Sequence, residues 1–157
     1  MKPFFILSII FCLGMAACAT APAPRLVVRP FAISKPFDAV WQSVIETFAE
    51  LKLPIMNMEK ESGLITTDWI SFRGQDNTTG YCDCGGIGMN VEIDRLGRFN
   101  VYVEKVGESS CELEVNSFFE NITRSALVYN GPSSVGYCVS TGKLEAEIYK
   151  RVSEKIK

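Results

Sequence analysis

From Met89 to Phe119 the chain alternates apolar and polar residues. Met89, Val91 and Ile93 would share one face, as would Phe99, Val101 and Val103, and then Leu113, Val115, Ser117 and Phe119. Successive strand side chains point to opposite faces, so a period of two across three segments predicts an antiparallel meander with one buried face. For Ile93 and Phe99 to lie on the same face, the first hairpin is expected to close through Arg95-Leu96-Gly97, with Gly97 left-handed and Asp94 opposite Arg98. The positions in between define a second face: Asn90, Glu92, Asp94, Asn100, Tyr102, Glu104, Glu112, Glu114 and Asn116. Either register of the second hairpin sets Glu104 opposite another glutamate, which costs stability unless water, a cation or a basic partner relieves it. A solvated sheet face is the plain reading and a functional acidic surface the sharper one.

The flanking segments supply helices. Phe37, Val40, Trp41, Val44, Ile45, Phe48 and Leu51 recur at three- and four-residue spacing, which predicts a helix over Pro36 to Leu51 capped by Ser34. Trp41 lies inside that apolar stripe and reads as core. Leu26 to Ile33 reads as a first strand, and Pro54 to Met58 and Leu64 to Phe72 as a hairpin turned at Glu61-Ser62-Gly63. Leu144, Ile148, Val152 and Ile156 mark a last helix from near Gly142, capped by Ser140 or Thr141. The expected fold is α+β: an antiparallel sheet of five to six strands with two helices packed on one face, in the order β-α-β-β-β-β-β-α.

The N-terminus carries an address. Met1-Lys2 is followed by about ten apolar residues and then Met15-Ala16-Ala17-Cys18, so residues 1–17 read as a secretory signal, too short for a membrane-spanning helix. Met15 to Cys18 resembles the bacterial lipobox, which implies a cysteine that becomes the acylated first residue of the mature chain; Met15 stands where the motif prefers leucine. The alternative is ordinary cleavage after Ala17 with Cys18 as a thiol. Ala19 follows, and in enteric-type sorting the lack of Asp at that position implies the outer membrane. Residues 18–24 read as the lipidated cysteine and a Pro-containing tether, and residues 25–157 as one domain facing the periplasm.

Composition narrows the chemistry. The 157 residues hold 16 Lys or Arg, 18 Asp or Glu and no histidine. A mildly acidic chain argues against nucleic-acid binding, and the missing imidazole excludes Ser-His-Asp and Cys-His catalysis and His-bearing metal sites. Gly136 to Lys143 lacks the spacing of a phosphate loop, with Leu144 where Ser or Thr should stand. A carboxylate-dependent hydrolase would need a cleft near Glu92, Glu104 or Glu112.

Four further cysteines, Cys82, Cys84, Cys111 and Cys138, suggest disulfides in an exported chain. Pairing within Cys82-Asp83-Cys84 is disfavoured. Two cross pairings remain, and Cys82 with Cys111 and Cys84 with Cys138 is preferred, because the second would tie the loop to the start of the last helix. A four-cysteine zinc site is the rival, but one-residue spacing does not match paired C-x₂₋₄-C knuckles, so no metal and no cofactor is expected.

Phe31-Ala-Ile-Ser-Lys-Pro-Phe-Asp-Ala-Val-Trp41, Leu51-Lys-Leu-Pro-Ile55 and Lys60-Glu-Ser-Gly-Leu-Ile-Thr-Thr-Asp-Trp69 together resemble the repeated unit of the C-component lipoprotein of the β-barrel assembly machinery. Pro36, Phe37, Asp38, Trp41, Gly63 and Ile65 occupy the matching positions. The resemblance implies a helix-grip-like domain that contacts proteins and carries no catalysis. This chain departs from the pattern in having one such domain and four extra cysteines. The end, Cys138 to Glu145, is similar to that of small envelope lipoproteins. The expected function is a non-catalytic interaction or assembly accessory module, held to the membrane by its lipid and contacting envelope proteins. The alternative is a carrier of a small apolar or lipid ligand between helix and sheet. Expected contact surfaces are the groove beside the first helix, the Arg73 to Gly88 loop, and the acidic face with Glu92, Tyr102, Glu104, Glu112 and Glu114.

Overall fold

The computed structural model describes residues 30–72 and 80–157. The signal segment, Cys18, the tether and Arg73 lie outside the described residues. The elements are β1 (Phe31–Ile33), α1 (Phe37–Glu50), β2 (Ile55–Glu59), β3 (Leu64–Thr67), β4 (Ile70–Ser71), β5 (Cys82–Asp83), β6 (Asn90–Gly107), β7 (Ser110–Ser125), β8 (Ser133–Ser140) and α2 (Lys143–Lys155). All strand pairs are antiparallel, in the order β2-β3-β6-β7-β8-β5, with β1 on β7 and β4 on β6. The fold is α+β with two helices, but the sheet has eight strands where five to six were expected.

The centre of the sheet is one long hairpin, β6 with β7, and this corrects the expected meander. The segment around Arg95-Leu96-Gly97 is not a loop. It lies mid-strand, with Leu96 opposite Glu120 and Gly97 opposite Phe119, and Asp94 faces Ile122 and not Arg98. Ile93 and Phe99 already have the same parity, so no turn is needed to align them. Gly97 serves a different purpose: a Cβ there would stand 2.7 Å from the Phe72 ring and 2.9 Å from the Phe119 ring. Those rings and Phe99 meet edge-on or tilted, with centroids 5.9 to 6.3 Å apart. Within this cluster a side chain at position 97 would have no room.

A bulge between Glu92 and Asp94 shifts the register. One extra residue reverses the parity beyond it. Val91 therefore shares a face with Arg124, and Met89 and Val91, expected inside, are 67% and 50% exposed in a stretch where Asn90 and Glu92 are exposed too. Below the bulge the alternation holds: Phe99, Val101, Val103, Leu113, Val115 and Phe119 are buried against Val40, Trp41, Val44 and Phe48 of α1 and Leu144, Ile148 and Val152 of α2. The two helices thus cover one face of the sheet, and Ser43 of α1 donates its hydroxyl to the Val152 carbonyl of α2 at 3.1 Å.

The β2–β3 hairpin turns where expected. Gly63 has φ +71, and a Cβ there would fall 2.2 Å from the Val103 carbonyl oxygen, so both backbone conformation and contact require glycine. Both helix caps differ from expectation. Pro36 precedes α1 and Gly142, at φ 79, precedes α2, neither with a side-chain cap. Ser140 still assists α2, because its hydroxyl oxygen accepts the Gly142 N–H at 3.1 Å.

Candidate functional site

The sheet face that no described element covers has two halves. Toward the β6–β7 turn it is acidic: Glu104 lies opposite Glu112, as expected, and Tyr102 opposite Glu114. Asn116 donates to Glu114 at 2.7 Å. Glu92 is not part of this group. It lies beyond the bulge, opposite Thr123, and accepts from Arg95 at 2.8 Å. The cavity beside Trp69 and the one along Lys143 and Arg151 are lined by none of Glu92, Glu104 and Glu112.

The other half is aromatic. Arg98 of β6 faces Phe118 of β7. Its guanidinium carbon stands 4.9 Å from the Trp69 ring centroid and 5.4 Å from that of Phe118. A cation between two rings holds both in place. Tyr137 of β8, opposite Glu120, is 78% exposed on the same side. These residues rim a cavity of about 320 Å³ whose wall includes Ser117, Phe119, Cys138 and Ser140. It opens where the pairing of β8 with β7 stops at Phe119 and Cys138 and β8 turns to β5 instead.

Behind this cavity a carboxylate is buried. Glu145, in the first turn of α2, is 1% exposed, and its Oε1 accepts from Ser117 and, at 2.6 Å, from Ser140. Its Oε2 has no hydrogen-bond partner among the described residues. A buried carboxylate is costly unless its oxygens are satisfied, so the two hydroxyls hold α2 against β7 and β8.

The cysteines divide differently from the expected pairing. Cys84 and Cys138 are bridged, as expected. Cys82 and Cys111 are not, because they lie at opposite ends of the sheet: Cys82 is opposite Ser140 on β8, whereas Cys111 opens β7 opposite Lys105 and Ile33. Burial pushes the Cys82 thiol up, against the lowering effect of Arg95, and burial likewise raises Cys111.

The structure thus brings Tyr102, Glu104, Glu112 and Glu114 together and sets Glu92 apart. Beside α1, Ser43 hydrogen-bonds to α2 and Glu50 pairs with Lys155 of α2. Trp69, Arg98, Phe118 and Tyr137 were not expected as a group. Phe118 was readable, since it has the parity of Glu114 and Asn116; Tyr137 was not, because Ser133 to Ser140 gave no strand signal with Gly, Ser and Cys at its inward positions. No protein-family model matches the chain, and no curated protein matches it either.

Proposed function

We propose that this chain is a lipid-anchored envelope protein whose domain is a non-catalytic protein-interaction module, held through Cys18 at the outer membrane and facing the periplasm. The observation that carries the reading is the aromatic half of the open sheet face. Trp69, Arg98, Phe118 and Tyr137 surround a cleft on a surface that no element of the described chain covers. Exposed aromatics beside an arginine, rimmed by polar groups, are the composition of protein contact sites. The acidic half, with Glu104, Glu112 and Glu114, would orient a partner carrying basic groups.

The resemblance to the assembly-machinery lipoprotein supports the same reading. Two helices on one face of an antiparallel sheet suit a helix-grip-like domain, and the matching residues Trp41, Gly63 and Ile65 are all buried. A lipid held between helix and sheet finds less support, because Phe48, Phe99 and Ile148 fill that layer with no exposure.

Crosslinking in the native envelope tests the proposal, comparing the full chain with Cys18→Ala and with Phe118→Ser/Tyr137→Ser. Envelope proteins recovered with the native chain and lost from both variants are the expected result. Recovery of lipid or a wall fragment with no protein would sink it.

A further inference from the structure

A disulfide takes two cysteines, and the corner where β5 meets β8 holds three. Cys84 and Cys138 are bridged, the Sγ of Cys82 lies 3.9 Å from that of Cys84, and all three sulfurs fall within 4.8 Å of one another. Strand pairing produces the cluster. Cys82 faces Ser140 and Asp83 faces Val139, which brings Cys84 level with Cys138, and the period of two places Cys82 and Cys84 on one side of β5.

Stapling does not explain Cys82. Nor is it set up as an attacking thiol: exchange places three sulfurs in a row, and these form a compact triangle. The triangle has the dimensions of a ligand set. Two thiolates each about 2.3 Å from a tetrahedral ion stand roughly 3.8 Å apart, which matches Cys82 and Cys84.

We propose that, once the Cys84–Cys138 bridge is reduced, Cys82, Cys84 and Cys138 form a three-thiolate site for a soft cation of the zinc or cuprous class, with a fourth position left to water. A dithiol supplies the two electrons and two protons: the S–S bond breaks, two thiols form, and the dithiol leaves as its own disulfide. Binding then forms three sulfur–metal bonds and releases three protons to water. Thiolate donors select such ions over hard cations. All three cysteines are partly exposed, so an ion reaches them without unfolding the sheet. Burial, Glu92 and Asp83 disfavour the Cys82 thiolate and Arg95 favours it, so it is the ion itself that must offset the crowding of the three thiolates. Bridge and ion are alternative ties between β5 and β8, chosen by the redox state.

The test uses the full chain, reduced with a dithiol, freed of it under argon, titrated with Co²⁺ and then displaced with Zn²⁺. The expected result is thiolate-to-cobalt absorption in the near ultraviolet that saturates at one ion per chain and is bleached by zinc. It is absent from the oxidised chain, lost in Cys82→Ser and kept in Cys111→Ser. The Cys82→Ser variant retains the Cys84–Cys138 bridge, so circular dichroism of its oxidised form reports whether the fold survives. No absorption in the reduced native chain overturns the proposal. So does absorption that persists in Cys82→Ser, or that disappears equally in Cys111→Ser.

Discussion

Gly97 shows how a single residue can be misread. In sequence, Arg95-Leu96-Gly97 between two alternating segments signals a turn; in the structure the glycine admits two aromatic rings to the middle of a strand. Gly97→Ala should therefore destabilise the domain by about 1 to 3 kcal/mol through overpacking, measured as a lowered denaturant midpoint with unchanged slope. A turn glycine with positive φ would instead show strain without disturbing Phe72 or Phe119. Glu145 is the second decisive residue. Replacing it by Ala leaves the Ser117 and Ser140 O–H donors without their acceptor, at a cost of about 1 to 3 kcal/mol, again read from denaturant unfolding. Tyr81 donates to Glu147 at 2.8 Å, and Arg151 donates to the same carboxylate. The Tyr81 hydrogen bond, then that of Arg151, lowers Glu147, and burial, then the Glu147 bond, raises Tyr81. Glu147 thus contributes stability that is present above roughly pH 4.3 and lost as pH falls through its lowered value. The Tyr81 contribution is complete below roughly pH 10 and lost as pH rises through its raised value. Tyr81→Phe should flatten the alkaline limb of a stability–pH profile and shrink the acid limb; an unchanged profile would show that the pair contributes nothing.

At the scale of elements, regular patterns were legible and interruptions were not. The α1 stripe, the β2–β3 hairpin at Gly63 and the opposition of Glu104 to Glu112 could all be read from spacing. The bulge at Glu92 to Asp94 could not, since a single inserted residue leaves no mark in composition yet sends Met89 and Val91 to solvent. Strand β8 was also hidden, because Val135, Tyr137 and Val139 alternate with Ser134, Gly136 and Cys138, a pattern whose apolar side faces outward. Amide exchange separates the two accounts of the central strand. Leu96 and Gly97 are paired with Glu120 and Phe119, so their amides should exchange as slowly as those of Val101; fast exchange there would restore the loop and the three-strand meander.

Among the described residues, one sheet face is sealed by two helices while the other is left open, acidic at one end and aromatic at the other. The acidic end was legible because glutamates at alternate positions declare a wet face. The aromatic end was not, because Trp69, Arg98, Phe118 and Tyr137 come from four separate stretches that only the sheet order brings together. That open face is the proposed protein contact surface. Its most direct test places a photo-crosslinking residue at position 137 of the full chain in its native envelope, with the same residue at Lys150, on the exposed side of α2, as control. Discrete protein adducts at 137 and none at 150 are predicted. Equal adducts at both positions, or none at 137, would contradict the account.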